Sequence, residues 1–328
     1  MTERKVKDAN IAALRAGDRR TLARAITLVE STKPADREKA ENLLSVVLPY
    51  TGNAIRLGIS GAPGAGKSTF IEAFGSYLTG KGHNVAVLAV DPSSRRSGGS
   101  ILGDKTRMEK LSRDPLAFIR PSPAGTTLGG VARRTREAML LAEAARFDVV
   151  LVETVGVGQS ETAVSEMVDL FVLLVNPGGG DDLQGIKRGV MELADLLLVT
   201  KSDGDLVAAA DRAMADYSNA LHLIRPKYSG IFPEVMKISA LDGAGISQSW
   251  EAMQKLHDAL SKTGQLKTLR ADQSRRWFWN EVQTVLTEEI MANESLGKVA
   301  KKLESTVIAG KTFPYSAART LFRHIITA

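Results

Sequence analysis

The sequence predicts an α/β fold, a mainly parallel sheet flanked by helices. Short apolar runs alternate with helix-length segments from about residue 54 onward. The runs are Ile55–Ile59, Val85–Val90, Val149–Val152, Leu170–Val175, Leu196–Val199 and Val235–Ile238. Strands joined through helical crossovers lie parallel, and helices on both faces demand near-continuous apolar strands. A glycine-rich loop follows the first run, and polar residues follow the later ones. Ligands in such folds bind beyond the carboxyl ends of the strands, so those residues are the ones to inspect.

The chain has 328 residues, 44% hydrophobic and 24% charged, enough for a sizeable soluble core. No apolar run approaches the length of a membrane span, which argues against a membrane protein. Cysteine is absent, which removes disulfides, thiolate metal sites and cysteine nucleophiles and suits a reducing cytoplasm. The net charge of +6 is spread along the chain without a block of like charges, so a nucleic-acid partner is not expected. The N-terminus lacks the apolar core of a secretory signal, and Glu3, Asp8 and Asp18 interrupt its basic residues. The expected location is cytoplasmic.

Three segments are expected. Residues 1–48 form an N-terminal helical extension, in which Leu22, Ile26 and Val29 recur at helical spacing between breaks at Gly17-Asp18 and Lys33-Pro34. Residues 49–262 carry the sheet. Residues 263–328 form a helical arm with an aromatic patch, Trp277, Phe278 and Trp279, that packs either on this chain or on a second subunit.

Gly61, Ala62, Pro63, Gly64, Ala65, Gly66, Lys67 and Ser68 fit the phosphate-binding pattern G-x-x-x-x-G-K-[ST] at every fixed position. The context fits too, with a strand before the loop and a helix from Thr69 to Leu78 after it. Glycines let backbone N–H groups converge on phosphate oxygens, and the helix N-terminus adds favourable partial charge. Lys67 is expected to reach the β- and γ-phosphates and the Ser68 hydroxyl to ligate Mg²⁺.

Asp91 closes the second run, where a carboxylate beside a phosphate loop holds Mg²⁺ or merely caps a turn. Residues 95–108 are rich in glycine and charge, as in a loop that orders on nucleotide and Mg²⁺. Glu153-Thr154-Val155-Gly156 stands where nucleotide switches place D-x-x-G, with Glu153 toward the metal and the Gly156 N–H toward the γ-phosphate. Val157 follows, so no glutamine there orients the attacking water, and slow intrinsic hydrolysis is expected. Thr200-Lys201-Ser202-Asp203 matches the T/N-K-x-D element of guanine recognition, with threonine in place of the commoner asparagine. One Asp203 carboxylate can accept from guanine N1–H and N2–H₂ together, a pair adenine does not supply. The Lys201 stem can cover the ring, and Ser239-Ala240-Leu241 offers a backbone N–H to guanine O6.

The motifs GAPGAGKST, VDPSSRRSGGSILGDKTRM, RPSPAGTTLGGVARRTREA, ETVGVGQSE, NPGGGDDLQGIKRG and TKSDGDL resemble those of the MeaB/ArgK family of P-loop GTPases, over nearly the whole chain. The resemblance implies GTP and GDP as ligands and adenosylcobalamin-dependent methylmalonyl-CoA mutase as partner. Nucleotide state would be coupled to cofactor delivery and to protection of the mutase, and the mutase would stimulate hydrolysis. It also implies a homodimer built through the C-terminal arm. The family's metal and switch residues map onto Ser68, Asp91, Asp104 and Glu153. In the glycine-rich loop after the fourth run, Asp182, Gln184, Lys187 and Arg188 become candidates for signalling to the partner, Lys187 being set against the phosphate charge as a catalytic residue. Two other roles share the architecture: a GTPase that matures hydrogenase- or urease-type metal centres, and a kinase of a transport protein. Without Cys, and with His83, His222, His257 and His324 scattered, a dedicated nickel site is not expected.

Overall fold

A computed structural model describes residues 10–90, 108–121, 128–154, 160–177 and 188–327. The strands are β1 (Ile55–Gly61), β2 (Val85–Val90), β3 (Ala117–Arg120), β4 (Val149–Thr154), β5 (Leu170–Val175), β6 (Leu196–Val199) and β7 (Glu234–Lys237). They form one sheet in the order β3-β2-β4-β1-β5-β6-β7, and every pairing is parallel. The expected runs all appear as strands: three keep the expected bounds, β1 and β4 run two residues further, and β7 begins and ends one residue earlier. β3 was not expected: its apolar residues, Ala117 to Ile119, are only three before the charged Arg120.

The chain turns at β1. From β1 it builds outward through β2 and β3, returns to β4, and then crosses to β5 on the other side. The carboxyl end of β1 therefore lies at the switch point, where a crevice opens between crossovers that leave in opposite directions.

Alternation along the strands feeds two cores. Leu57 and Ile59 of β1 and Val149 and Leu151 of β4 join Phe70, Phe74, Leu78 and Trp250 on one face. Val150 and Val152 face the other layer with Phe171, Val164 and Leu141. Gly58 points to that second layer because nothing larger fits: a Cβ there would lie 2.9 Å from Val164 Cγ1. Helix Lys67–Gly80 covers the first face with Phe70, Ile71, Phe74 and Leu78, Phe70 and Phe74 stacking at 5.1 Å.

The N-terminal helices belong to the second core. Leu22, Ile26 and Val29 of helix Arg19–Glu30 are buried with Leu141, Ala142 and Ala145. Asp18 caps that helix by accepting the Thr21 N–H at 2.7 Å. A buried ion pair ties the layers together. Arg56 in β1 meets Glu143 through Nε–Oε1 at 2.6 Å and Nη2–Oε2 at 3.0 Å, and Glu143 Oε2 also accepts the Gly52 N–H at 2.6 Å.

The described chain divides into two compact units, Met1–Lys267 and Thr268–Ala328. The second holds most of helix Gln265–Ala292 and all of helices Glu294–Ile308 and Pro314–Thr327. Phe278 and Trp279 are 60% and 59% exposed there, their rings edge to face at 5.4 Å. No helix among the described residues is long and apolar enough to cross a membrane.

Glu143→Ala removes the carboxylate that pairs with the buried Arg56 guanidinium, and is expected to cost about 3 kcal/mol or more. Denaturant unfolding checks this; Glu143→Gln, which keeps two acceptor lone pairs on its oxygen, should lose less.

Candidate functional site

β1 ends at Gly61, whose φ is +154°. A Cβ at that position would lie 2.4 Å from the Leu174 carbonyl oxygen of β5, so only glycine lets the loop leave between the two strands. Gly64 and Gly66 take φ of +82° and +87°, the left-handed region that side chains avoid. Ala65 is buried beneath the loop and its N–H bonds the Ala62 carbonyl at 3.0 Å. Pro63 and Gly64 stand exposed at the rim.

Gly66 turns the backbone straight into the helix, which begins at Lys67 rather than at the expected Thr69. The first intrahelical bond runs from Phe70 N to Gly66 O at 2.8 Å. The N–H groups of Lys67, Ser68 and Thr69 thus have no acceptor in their own helix, which is the arrangement that binds an anion.

Lys67 is 9% exposed. Its Nζ donates to the Gly61 carbonyl at 2.7 Å and the Ala62 carbonyl at 3.1 Å. Burial holds its pKa below the ordinary amine value, while the Glu153 and Glu161 carboxylates act to raise it. Glu161 was not singled out by sequence reasoning. It is a 5% exposed carboxylate in helix Ser160–Ser165, and its presence in a motif following a switch strand was the available signal.

Glu153 lies within β4 and not after it. Its Oε1 accepts the Ser68 hydroxyl at 3.4 Å, which puts a hydroxyl and a carboxylate together at the first turn of the helix. These are hard oxygen donors of the kind Mg²⁺ takes. Below them the Thr154 hydroxyl donates to Ser60 Oγ at 2.9 Å, so the strand ends under the loop are fastened to each other. Asp91, Asp104, Gly156, Asp182, Gln184 and Lys187 lie outside the described residues, as does the side chain of Arg188.

The elements expected to read the base converge although they are far apart in sequence. Asp203, after β6, accepts a short hydrogen bond from the Ser239 hydroxyl, after β7. Ser239 Oγ in turn accepts the Asp242 N–H at 3.1 Å. Ser202 N donates to the Ile238 carbonyl at 3.1 Å. Lys201 adopts φ +54°, a left-handed turn that begins the excursion, and it is exposed, as is Leu241. Ala240 is half-buried. Thr200 is buried, and its hydroxyl lies 2.9 Å from the Ala65 carbonyl and 3.0 Å from the Val175 carbonyl. Sequence reasoning noted Thr200 only as a departure from asparagine. Asn176, the first residue of the NPGGGDDLQGIKRG motif, follows β5, and its Oδ1 is buried with no hydrogen-bond partner among the described residues.

Residues 22–295 match the family model described as methylmalonyl-CoA mutase-associated GTPase MeaB. The chain belongs to this family. It is a GTPase, and the phosphate loop above is where a GTPase of this fold takes GTP and GDP. Among similar proteins, the Escherichia coli GTPase ArgK is 48% identical over 318 residues, 97% of this chain and 96% of that one. A mouse protein named methylmalonic aciduria type A homolog, mitochondrial, is 49% identical over 317 residues, 94% of this chain and 76% of its own length. A solved structure described as an LAO/AO transport system kinase superposes with a TM-score of 0.78 at 41% identity, covering 99% of each chain.

For this MeaB-family GTPase, Lys67→Ala should weaken GTP binding by about 10- to 100-fold, the worth of a charge-assisted hydrogen bond; titration calorimetry checks it. Phosphate charge raises the lowered pKa of the buried amine. GTP binding at alkaline pH should therefore take up protons, seen as a binding heat that depends on the buffer's ionisation enthalpy.

Proposed function

We propose that this protein is a GTP-driven chaperone of an adenosylcobalamin-dependent methylmalonyl-CoA mutase, coupling nucleotide state to cofactor loading and to protection of the mutase. The observation that carries the reading is the family match over residues 22–295, supported by the mouse relative's name. The chemistry of the site agrees with a switch. Lys67 exchanges its two carbonyl acceptors for β- and γ-phosphate oxygens when nucleotide enters. The free N–H groups of the first helical turn meet the same phosphates. Asp203, held by Ser239, reads guanine N1–H and N2–H₂, and Lys201 covers the ring.

Ser68 and Glu153, joined by Asp91 and Asp104, are the residues that would hold Mg²⁺, which when bound neutralises phosphate charge. Gly156 offers its N–H to the γ-phosphate. No glutamine follows it, so intrinsic hydrolysis is slow and the partner accelerates it, with Lys187 set against the phosphate charge. Residues 263–328 form the arm of a homodimer, residues 1–48 the helical extension and residues 49–262 the GTPase domain. We place the protein in the cytoplasm. A second reading, phosphoryl transfer to a transport protein, is favoured by the name of the solved relative; a phosphotransfer assay with GTP separates the two.

GTP turnover of the isolated protein is expected to be slow and to rise by about 100-fold with purified mutase, the low end of the contribution of one positioned catalytic group. No stimulation would remove the mutase from the reading. Asp203→Asn should shift binding from GTP toward XTP; unchanged GTP affinity would remove Asp203 from the base site.

A further inference from the structure

The face of helix Lys67–Gly80 that bears Ser68 also carries an anchor. Ser68, Glu72 and Gly75 stand at i, i+4 and i+7, one stripe of that helix. The Glu72 carboxylate reaches across to the short helix Glu109–Arg113. Its Oε1 accepts the Lys110 N–H at 2.7 Å, and the Leu111 N–H lies 3.3 Å from each of its oxygens. Both N–H groups belong to the first turn of the short helix, where no acceptor of that helix serves them. Met108 and Leu111 are buried in one cluster with Phe70, Ile71 and Phe74 of the longer helix. The approach is close: a Cβ at Gly75 would lie 2.5 Å from Leu111 Cδ2.

We propose that Glu72 is a positioning residue for the metal side of the phosphate site: it fixes the chain at Met108–Leu111 against the Ser68 face of the phosphate helix. The sequence between β2 and Met108 contains Asp91 and Asp104. Asp104 precedes Met108 by four residues, at most about 14 Å of extended chain. Four residues of helix put Glu72 about 6 Å along the axis from Ser68, and packed helices lie about 10 Å apart. Asp104 is therefore within chain reach of Ser68 from this anchor. Fixing the chain at Met108 leaves a short span to be placed when a carboxylate meets Mg²⁺ beside Ser68, and a shorter span costs less closure entropy. Lys110 is exposed, so water takes its N–H when the carboxylate is removed, and the fold should survive Glu72→Ala. This inference rests on the reading of Ser68 and Asp104 as Mg²⁺ residues. Asp104→Asn tests that reading by itself, through the Mg²⁺ requirement of GTP binding.

The experiment is titration calorimetry of the full chain with GTP, once in saturating Mg²⁺ and once in EDTA. Glu72→Ala should weaken binding by about 10-fold in Mg²⁺, the worth of a hydrogen bond to a charged group. In EDTA the same variant should lose less than about 2-fold, as a substitution away from the ligand does. Glu72→Gln, whose amide oxygen also accepts two N–H groups, should return binding in Mg²⁺ to within about 3-fold of wild type. A residue that only supports the fold would weaken binding equally in both conditions. The proposal is overturned if Glu72→Ala matches wild type in Mg²⁺, if its loss is as large in EDTA, or if Glu72→Gln restores nothing. Should Glu72→Ala fail to fold, Glu72→Asp takes its place with the same expected and overturning results, since it keeps the charge but is one methylene shorter. If Asp104→Asn raises the Mg²⁺ requirement while the Glu72 variants do not, the metal reading stands and the anchor falls. An unchanged requirement in Asp104→Asn removes that reading, and the anchor with it.

Discussion

The insertion of β1 between β4 and β5 is the constraint on which the rest of the structure depends. β1 pairs in parallel with both neighbours, Leu57 opposite Leu151 on one side and Leu170 on the other. A central parallel strand has no free edge, so its register cannot slip without breaking two ladders. That register brings Gly61 against the Leu174 carbonyl, and from that contact the loop must rise between diverging crossovers. The phosphate site is the consequence of strand order as much as of the loop residues.

Electrostatically the loop gathers positive character at one point. Lys67 is a buried cation whose partners in this structure are neutral carbonyls, with the Glu153 and Glu161 carboxylates offsetting part of the burial cost. First-turn N–H groups add more positive character at the same point. A phosphate relieves both costs at once, so much of the binding energy is prepared before the ligand arrives. Glu153 faces two ways: its charge acts on Lys67 while its oxygen accepts the Ser68 hydroxyl. One carboxylate therefore links Lys67 to Ser68 in the first turn of the phosphate helix.

The base side relies on a different device. Asp203 and Ser239 come from strands β6 and β7, and their hydrogen bond closes two loops into one wall. Thr200 carries that wall to the phosphate loop. The Thr200 bonds to Ala65 and Val175 are buried and neutral, while the bond of Ser239 to the Asp203 carboxylate is only partly buried. Each bond is modest by itself, but together they restrict the loops and lower the ordering cost of binding.

The amino-acid sequence by itself determined the strand runs, the phosphate loop and its helix, and the family. Each is carried by local pattern: continuous apolar residues for a strand covered on both faces, glycines where φ turns positive, and motifs with tight spacing. β3 escaped because its three apolar residues, Ala117 to Ile119, run straight into Arg120. The early start of the phosphate helix escaped because it depends on the left-handed turn of Gly66, which no helix propensity of Lys67 or Ser68 reveals. Only the tertiary structure decided that Glu161 acts on Lys67, that Asp203 meets Ser239 and that Thr200 holds Ala65. Those contacts join residues tens to more than a hundred positions apart, through a sheet order that periodicity does not encode, and their strength comes from burial that exists only once the sheet is closed.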